Sequence, residues 1–325
     1  MSLRGDSFRM PIIIPQDLPA AKILSEENIF ALSDRSASQQ DIRPLKIGIV
    51  NLMPNKIQTE TQLLRLLSLS PLQLDIRLVR MANHISKNTS EHHLLKFYRT
   101  VEEMKAENLD GLIITGAPVE QKPFVEVDYW TELVEIMEWS QTHCTSVLHI
   151  CWGAQAGLFH HYGIDKIPYE EKLFGIFAQK IYDFQPIVRG FSDYFFSPQS
   201  RYTGIQEEQL QAKPLTIIAG SREVGPSMLS STNHKNIFLL GHFEYDTNTL
   251  KEEYLRDITA GLETALPENY FRFEDVQQAV QNTWRSNASL LFLNWIHDVY
   301  QRTPFDLAEV GQVEFHHPDE LGKGQ

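Results

Sequence analysis

The chain has 325 residues, of which 42% are hydrophobic and 22% are charged, and its formal net charge is −13 at pH 7. These proportions are typical of a globular protein with a sizeable core. The acidic balance, without a prominent basic block, argues against nucleic acid or an anionic membrane as a partner. No apolar run is long enough to span a membrane, and the start of the chain lacks the apolar stretch of a secretory signal.

The chain contains two cysteines, Cys144 and Cys151, which stand at the two ends of one predicted strand. An extended strand would hold them roughly 20 Å apart, whereas a disulfide requires Cα atoms within about 7 Å. We therefore expect both thiols to be free. Low cysteine content and the missing export signal favour the reducing cytoplasm as the location.

One domain is expected, with an irregular segment at each end. Residues 1–9 are interpreted as a leader or disordered start, because Met10 has the character of a natural initiator. Residues 10–44 mix apolar and polar residues and are predicted to form an N-terminal arm on the domain surface. Residues 45–307 are assigned to a single α/β domain, because no repeat or linker divides them. Residues 308–325 are assigned to a polar C-terminal tail.

The first half of the domain alternates apolar runs of strand length with runs of helical periodicity. In chain order, the predicted elements are a strand at 46–53, a helix through Leu63–Leu67 capped by Asn55 or Thr59, a strand at 72–79, a helix at 91–104, a strand at 110–116, a helix at 129–142 and a strand at 146–150. This alternation predicts an open, mostly parallel, flavodoxin-like sheet with helices on both faces.

The pattern changes after Pro168. The predicted elements are then short strand-like pieces at 176–182, 186–191 and 215–219, a buried strand at 236–241, a helix at 248–261 and an apolar helix at 287–300. We interpret the short pieces as antiparallel or irregular additions to the same sheet, and the last helix as packed on the core.

A single cysteine stands where a predicted strand changes into a predicted helix. Ser146–Ile150 is strand-like, Cys151 follows, and small residues then open a helix that continues to about His161. N–H groups at a helix start have no internal partners, and the partial positive charge there favours a thiolate. This is the architecture of a nucleophile elbow, with cysteine in place of serine. The stretch alone leaves open that Cys151 is a small core residue.

A cysteine nucleophile needs a base, because a thiol pKa of about 8.5 leaves little thiolate at neutral pH. His242 directly follows the predicted strand at 236–241, and the carboxyl ends of parallel strands form the ligand crevice of such sheets. Glu244 points the same way in an extended backbone, so it could hold the imidazole in one tautomer. The alternative is that both are solvated loop residues, but the elbow favours a triad of Cys151, His242 and Glu244.

Backbone donors for an oxyanion are available at two predicted turns. The N–H of Trp152 follows the candidate nucleophile, and Gly116 and Ala117 follow another predicted parallel strand without bulky side chains. An ordinary turn would also explain the sequence at 115–118. There is no Cys-x-x-Cys pair, no His-Glu-x-x-His motif and no glycine-rich phosphate loop, so no metal and no bound cofactor is expected.

Seven segments, taken together, match a known pattern. In order along the chain they are 42–56, 115–118, 151–152, 171–173, 200–202, 241–246 and 282–294, within a match that runs from Met10 to about Leu307. They resemble the homoserine O-acyltransferases of the class I glutamine-amidotransferase-like superfamily. The resemblance implies an amidotransferase-like fold, with Cys151 as the acyl-accepting nucleophile, His242 as the general base and Glu244 as its orienting partner.

The same resemblance implies substrate contacts at Lys172, Ser200 and Arg256, and a guanidinium such as that of Arg256 suits the carboxylate of homoserine. Glu120 is expected to select the acyl group. In the family, many succinyl-transferring members have glycine at this position, and an acidic residue is associated with acetyl transfer. Two like charges about 4 Å apart repel by about 4 kcal/mol at an effective dielectric of about 20. The alternative is that Glu120 points to solvent and discriminates nothing.

These observations predict a homoserine O-acetyltransferase of methionine biosynthesis that works through a Cys151 thioester. Its substrates would be L-homoserine and acetyl-CoA, without a separate cofactor. We expect a cytoplasmic homodimer with no nucleic acid or membrane partner. The alternatives are a homoserine O-succinyltransferase, an amidotransferase-like cysteine hydrolase and a metabolite-binding protein without activity. His149 argues against the hydrolase, because amidotransferase elbows usually have glycine at that position.

Overall fold

The described part of the chain builds one large sheet. The computed structural model describes residues 12–15, 17–27, 43–82, 88–304 and 306–310. The predicted leader at 1–9 lies outside these residues, as do most of the predicted arm and the predicted tail beyond Val310.

Eleven strands within the described ranges pair into this sheet. In chain order they are β1 (Ile12–Ile13), β2 (Leu45–Val50), β3 (Leu74–Arg80), β4 (Tyr98–Thr100), β5 (Leu109–Ile114), β6 (Cys144–Ile150), β7 (Ile167–Ile181), β8 (Tyr194–Gly204), β9 (Leu215–Ser221), β10 (Gly225–Ser231) and β11 (Asn236–Leu239). Their order across the sheet is β1-β3-β2-β5-β6-β11-β10-β9-β7-β8, and β4 also pairs with β3.

The sheet changes direction at β11. All strands from β1 to β11 along this order run parallel, and β4 runs parallel to β3. Beyond β11, the strands β10, β9, β7 and β8 are each antiparallel to the preceding one. The prediction of an open, mostly parallel sheet with antiparallel additions is confirmed.

Helices cover both faces of the parallel half. They are α1 (Pro19–Glu26), α2 (Lys56–Leu67), α3 (Glu91–Phe97), α4 (Val101–Met104), α5 (Trp130–His143), α6 (Trp152–Tyr162), α7 (Thr249–Thr259) and α8 (Arg285–Arg302). One hydrophobic cluster joins α1, α2 and α8 to the sheet, and a second joins α4 and α5 to it. Within the described ranges, none of these helices has the length and hydropathy to cross a membrane.

Local sequence explains where the elements of the parallel half begin. Every residue of β5 is buried, which suits its nearly continuous apolar run. Asn55, one of the two predicted caps, caps α2 by accepting the N–H of Gln58. Cys144 begins β6 and Cys151 follows its last residue, and both thiols are free.

The prediction of one continuous helix at 91–104 is wrong in the middle of that segment. Tyr98–Thr100 leaves the helical path and pairs with β3 as β4. The buried hydroxyl of Tyr98 donates to Glu60, and Thr100 caps a new helix with a capping box formed with Glu103. Local capping and a buried hydrogen bond therefore override a helical pattern that continues through this segment.

The antiparallel half differs most from the prediction. β7 and β8 form a hairpin with strands of 15 and 11 residues, whereas the sequence predicts only a short piece at 176–182. The strand-like piece predicted at 186–191 is instead a 3-10 turn at Pro186–Val188. Pro186 has no N–H to donate to a strand ladder, and the Asn294 amide donates to the carbonyl of Ile187 (3.1 Å).

Candidate active site

Cys151 occupies the turn between β6 and α6, in a conformation that few residues adopt. Its φ of 50° and ψ of −116° place a non-glycine residue at positive φ, which costs energy and is typical of functional sites. The N–H of Cys151 donates to the carbonyl of Leu239 (2.6 Å), and its own carbonyl accepts from Ala154 and Gln155. Strand, cysteine and helix therefore form the predicted elbow.

Gly153 allows α6 to begin against the end of β5. A Cβ at this position would lie 2.6 Å from the carbonyl oxygen of Thr115 and 2.8 Å from that of Ile114. Backbone atoms cannot turn aside as a flexible side chain can, so glycine is required. The small residue after Cys151-Trp152 is thus explained by the close approach of the helix to the turn at Thr115.

His242 and Glu244 follow β11 and form a hydrogen-bonded pair beside Cys151. The imidazole Nδ1 of His242 lies 2.7 Å from Glu244 Oε1. The backbone N–H of His242 donates to the carbonyl of Pro198 (2.9 Å). Burial alone would lower the pKa of His242, but the Cys151 sulfur and the Glu244 carboxylate outweigh it and raise that pKa well above its usual range. A protonated imidazole is therefore favoured beside the cysteine.

Gly116 lies so close to Cys151 and His242 that a side chain at this position would crowd them. A Cβ on Gly116 would lie 3.2 Å from the Cβ of Cys151 and 3.6 Å from Cε1 of His242. Among the described residues, the N–H groups of Gly116, Ala117 and Trp152 donate to no carbonyl or side chain. These are the groups that the sequence predicts as oxyanion donors, and they are free to act as such.

The elbow opens into a cleft of about 660 Å³. Its lining contains Ala117, Cys151 and His242 together with every residue predicted to contact substrate or select the acyl group, namely Glu120, Lys172, Ser200 and Arg256. Glu244 lies behind His242 rather than in this lining. Within the described residues, no group of three or more histidine, cysteine, aspartate or glutamate side chains is placed to hold a metal ion.

Lys172 and Ser200 come from the β7–β8 hairpin and meet acidic residues of α7. Lys172 Nζ lies 3.3 Å from Asp257 Oδ2 and 3.8 Å from Glu253 Oε2, and the hydroxyl of Ser200 donates to Glu253 Oε2 (2.6 Å). Arg256 also pairs with Asp257 (2.7 Å) but leaves 66% of its side chain exposed at the mouth of the cleft. This wall, composed of Lys172, Ser200, Glu253, Arg256 and Asp257, presents both signs of charge.

Glu120 lies in the cleft, with one oxygen on the backbone N–H of Tyr202 (3.2 Å). Burial raises the pKa of Glu120, and this effect is opposed by the Tyr202 N–H and by the positive charges of His242, Lys172 and Arg201. The carboxyl group therefore lies in the cleft that also contains Cys151 and His242, partly shielded from solvent.

The lining also contains residues that were not predicted from the sequence, among them Tyr202, Tyr245, Glu253 and Asp257. Glu253 and Asp257 are four residues apart in the predicted helix at 248–261, so they lie on one face, which was a usable signal. Charged residues on a helix are more often solvated, and only the hairpin that packs against α7 makes these two part of a site.

Comparisons with known proteins identify the family of the chain. A family model described as homoserine O-succinyltransferase matches residues 11–305. A relative from Methanomassiliicoccus intestinalis, named homoserine O-acetyltransferase, is 51% identical over 93% of this chain and 100% of its own length. A relative of the same name from a Geobacillus strain is 53% identical over 91% of this chain and 99% of its own.

The fold is also found among solved structures. A glutamine amidotransferase from Thermotoga maritima superposes with a TM-score of 0.52 and 14% identity, covering 79% of this chain and 99% of that one. This likeness concerns the fold, which is the amidotransferase-like α/β fold implied by the resemblance. The family model over residues 11–305 and the relatives at about half identity show that the chain belongs to the homoserine O-succinyltransferase family of homoserine acyltransferases.

Proposed function

We propose that this chain is a homoserine O-acetyltransferase in which Cys151 carries the acetyl group between acetyl-CoA and L-homoserine. The observation that carries the proposal is the placement of Cys151, in a strained elbow, beside the His242–Glu244 pair and at the base of a cleft with a charged wall. The names of relatives at about half identity support acetyl transfer. The proposal puts the enzyme in methionine biosynthesis, as a cytoplasmic homodimer.

The first half-reaction transfers acetyl to the protein. The Cys151 sulfur attacks the thioester carbonyl carbon, and the electron pair of the carbonyl moves to its oxygen. The N–H groups of Gly116, Ala117 and Trp152 stabilise that oxyanion. When the intermediate collapses, the bond to the coenzyme A sulfur breaks, and the protonated His242 gives its proton to the departing thiolate. His242 is then neutral and ready to act as a base.

The second half-reaction transfers acetyl to the amino acid. His242 removes the proton of the homoserine hydroxyl as its oxygen attacks the Cys151 thioester, and the collapse of this intermediate returns the cysteine as a thiolate beside a protonated imidazole. Homoserine is a zwitterion. We assign its carboxylate to Lys172 and Arg256 and its ammonium to Glu253 and Asp257, because these groups line one wall of the cleft.

Glu120 supports acetyl-CoA over succinyl-CoA as the donor. Its carboxyl group lines the cleft with Cys151 and His242, where the distal carboxylate of a succinyl group would meet a like charge. A homoserine O-succinyltransferase is the second candidate, because the family model carries that name. The acyl preference must therefore be measured directly.

The experiment is steady-state kinetics with homoserine, in which acetyl-CoA is compared with succinyl-CoA, together with mass spectrometry of the protein after incubation with donor alone. We expect a preference for acetyl-CoA, ping-pong kinetics and an acetyl group on Cys151. Cys151→Ala should abolish transfer and labelling, whereas Cys144→Ala, at the far end of β6, should retain both. Sequential kinetics without any acyl-enzyme would contradict the covalent route, and glutaminase activity would favour the hydrolase alternative.

A further inference from the structure

Tyr245 lies flat against the imidazole of His242. Their ring centroids are 4.0 Å apart and their planes differ by 17°. The backbone of Tyr245 is fixed, because the indole N–H of Trp284 donates to its carbonyl (3.0 Å). Tyr245 is 6% exposed and lines the cleft, so it is close enough to the reacting atoms to influence them through His242.

The hydroxyl of Tyr245 reaches the substrate wall. It donates to Glu253 Oε1 (2.7 Å), while the other oxygen of Glu253 accepts from Ser200 (2.6 Å) and lies 3.8 Å from Lys172 Nζ. Glu253 therefore connects Tyr245 to Lys172 and Ser200, the two hairpin residues predicted to contact substrate. One tyrosine thus contacts the base with its ring and the acceptor site with its hydroxyl.

We propose that Tyr245 is a positioning residue with two separable roles. Its ring stabilises the protonated form of His242, and its hydroxyl holds Glu253 in the geometry that binds homoserine. The second role rests on the proposed function, whereas the first concerns only the Cys151–His242 pair. Each role belongs to a different part of the side chain, so a different substitution removes each one.

The electrostatics of the pocket support the first role. A cation over the face of an aromatic ring is attracted by the ring quadrupole. Within the described part of the chain, the charged and titratable groups that act on His242 are Cys151, Glu244 and Glu120, and Tyr245 stacks on its ring. Burial, with the nearby Glu253 and Glu244 carboxylates, raises the pKa of Tyr245 well above its usual range, so its ring remains a neutral phenol.

The first test is the pH dependence of Cys151 alkylation by iodoacetamide, with the labelled residue identified by mass spectrometry. The profile should show an upper inflection where the imidazole beside the thiolate loses its proton. Tyr245→Leu removes the ring face and should move this inflection down by about one pH unit. Tyr245→Phe keeps the face and should leave the inflection unchanged. The buried Cys144 should stay unlabelled in all folded variants.

The second test is the kinetics of acetyl transfer. Tyr245→Phe frees Glu253 from one of its donors, so it should raise the KM for homoserine about tenfold while the KM for acetyl-CoA stays the same. Tyr245→Leu should raise the same KM and also lower kcat. Tyr270→Phe is the matched control. It removes another hydroxyl that contacts the α7 region, through Lys251 and Thr247, and should change neither constant.

An unchanged inflection in Tyr245→Leu, or an equal shift in Tyr245→Phe, would overturn the role of the ring. An unchanged homoserine KM in Tyr245→Phe would overturn the role of the hydroxyl. If Tyr245→Leu exposes Cys144 to alkylation, it is unfolded, and Tyr245→Met, which fills more of the space, replaces it. If the unmodified protein acetylates no homoserine, the proposed function fails, and the alkylation profiles still decide the role of the ring.

Discussion

At the scale of single residues, Glu120 is expected to repel a negatively charged acyl group and to mask groups that would otherwise attract it. Its carboxyl group accepts a hydrogen bond from the Tyr202 N–H, and the positive charges of Lys172 and Arg201 act on it. If the carboxyl group were removed, the same N–H and the same positive charges would face the acyl group of the donor. The distal carboxylate of a succinyl group would then no longer be repelled by Glu120, and it could accept a hydrogen bond from the Tyr202 N–H.

We therefore expect Glu120→Gly to raise kcat/KM for succinyl-CoA relative to acetyl-CoA by roughly a hundredfold. Two like charges about 6 Å apart at an effective dielectric of about 20 repel by about 3 kcal/mol, which corresponds to that factor. Competition between the two donors for homoserine, read by mass spectrometry of the product, measures the ratio.

Glu120→Gln is the matched control, because it keeps the size of the side chain while removing its charge. It should produce part of the change, since the amide still fills the space that a succinyl group needs. If both variants keep the donor preference of the unmodified protein, Glu120 does not select the acyl group.

Functional residues that directly follow strands can be predicted from the sequence, whereas residues whose role depends on packing cannot. Cys151 and His242 are identifiable because each comes directly after an apolar run, and strand ends meet at one edge of a parallel sheet. Tyr245 lies within a matched segment, but nothing in its spacing indicates that its ring stacks on His242. Glu253 has a charged side chain on an amphipathic helix, which is normally solvated.

At the scale of elements, the elbow depends on the contact between α6 and the end of β5. We expect Gly153→Ala to lower the free energy of unfolding by about 1–3 kcal/mol, because its methyl group meets the carbonyls of Ile114 and Thr115. Relief of that collision would move Cys151 away from the Gly116 turn. Since misplacement by about 1 Å can cost a factor of about a hundred, acyl-enzyme formation should slow strongly.

Gly163→Ala provides the comparison for this variant. Gly163 ends the same helix at a φ of 68°, where a Cβ meets nothing within 4 Å. Its substitution should cost about 1 kcal/mol through backbone strain and leave acylation unchanged. Urea unfolding and rapid-quench measurement of the acyl-enzyme separate the two effects. Equal acylation rates in both variants would mean that the close approach of α6 does not position Cys151.

The parallel strands could be predicted because burial on both faces leaves a continuous apolar run, as in β5 and β6. The β7–β8 hairpin could not, because Tyr169, Glu170, Glu171 and Lys172 interrupt its apolar pattern near the cleft. Glu170 and Glu171 are exposed, Lys172 contacts α7, and Tyr169 accepts a hydrogen bond from Arg201 within the hairpin. The polar contacts that this segment makes therefore obscure its strand pattern.

At the scale of the whole molecule, the buried His149 and the partly buried His161 make the fold sensitive to acid. Burial lowers the pKa of His149 to about 4, and burial, with the neighbouring His149 and His160, lowers that of His161 to about 3. Unfolded histidines titrate near about 6.5. The stability that these groups contribute is therefore complete above about pH 6.5 and is lost as the pH falls toward 4.

We expect His149→Gln to weaken this acid sensitivity. At pH 5 the His149 contribution corresponds to a loss on the order of 2 kcal/mol relative to pH 7. Urea unfolding of the unmodified protein and of this variant at both pH values measures the difference. His297→Gln, on the exposed side of α8, should keep the full pH dependence. If His149→Gln also keeps it, the acid sensitivity arises elsewhere.

The change of direction at β11 has a consequence for how this catalyst could be altered. The nucleophile and its base are placed by β6 and β11, at the border of the parallel half. Lys172 and Ser200 belong to the β7–β8 hairpin, whose strands lie three and four positions beyond β11 in the sheet. Loading of the acyl group and choice of the alcohol that receives it thus depend on different side chains, which meet where the backbone N–H of His242 donates to the carbonyl of Pro198 in β8. A protein engineer could vary Lys172 and Ser200 to accept another alcohol while keeping Pro198, which holds the base in place.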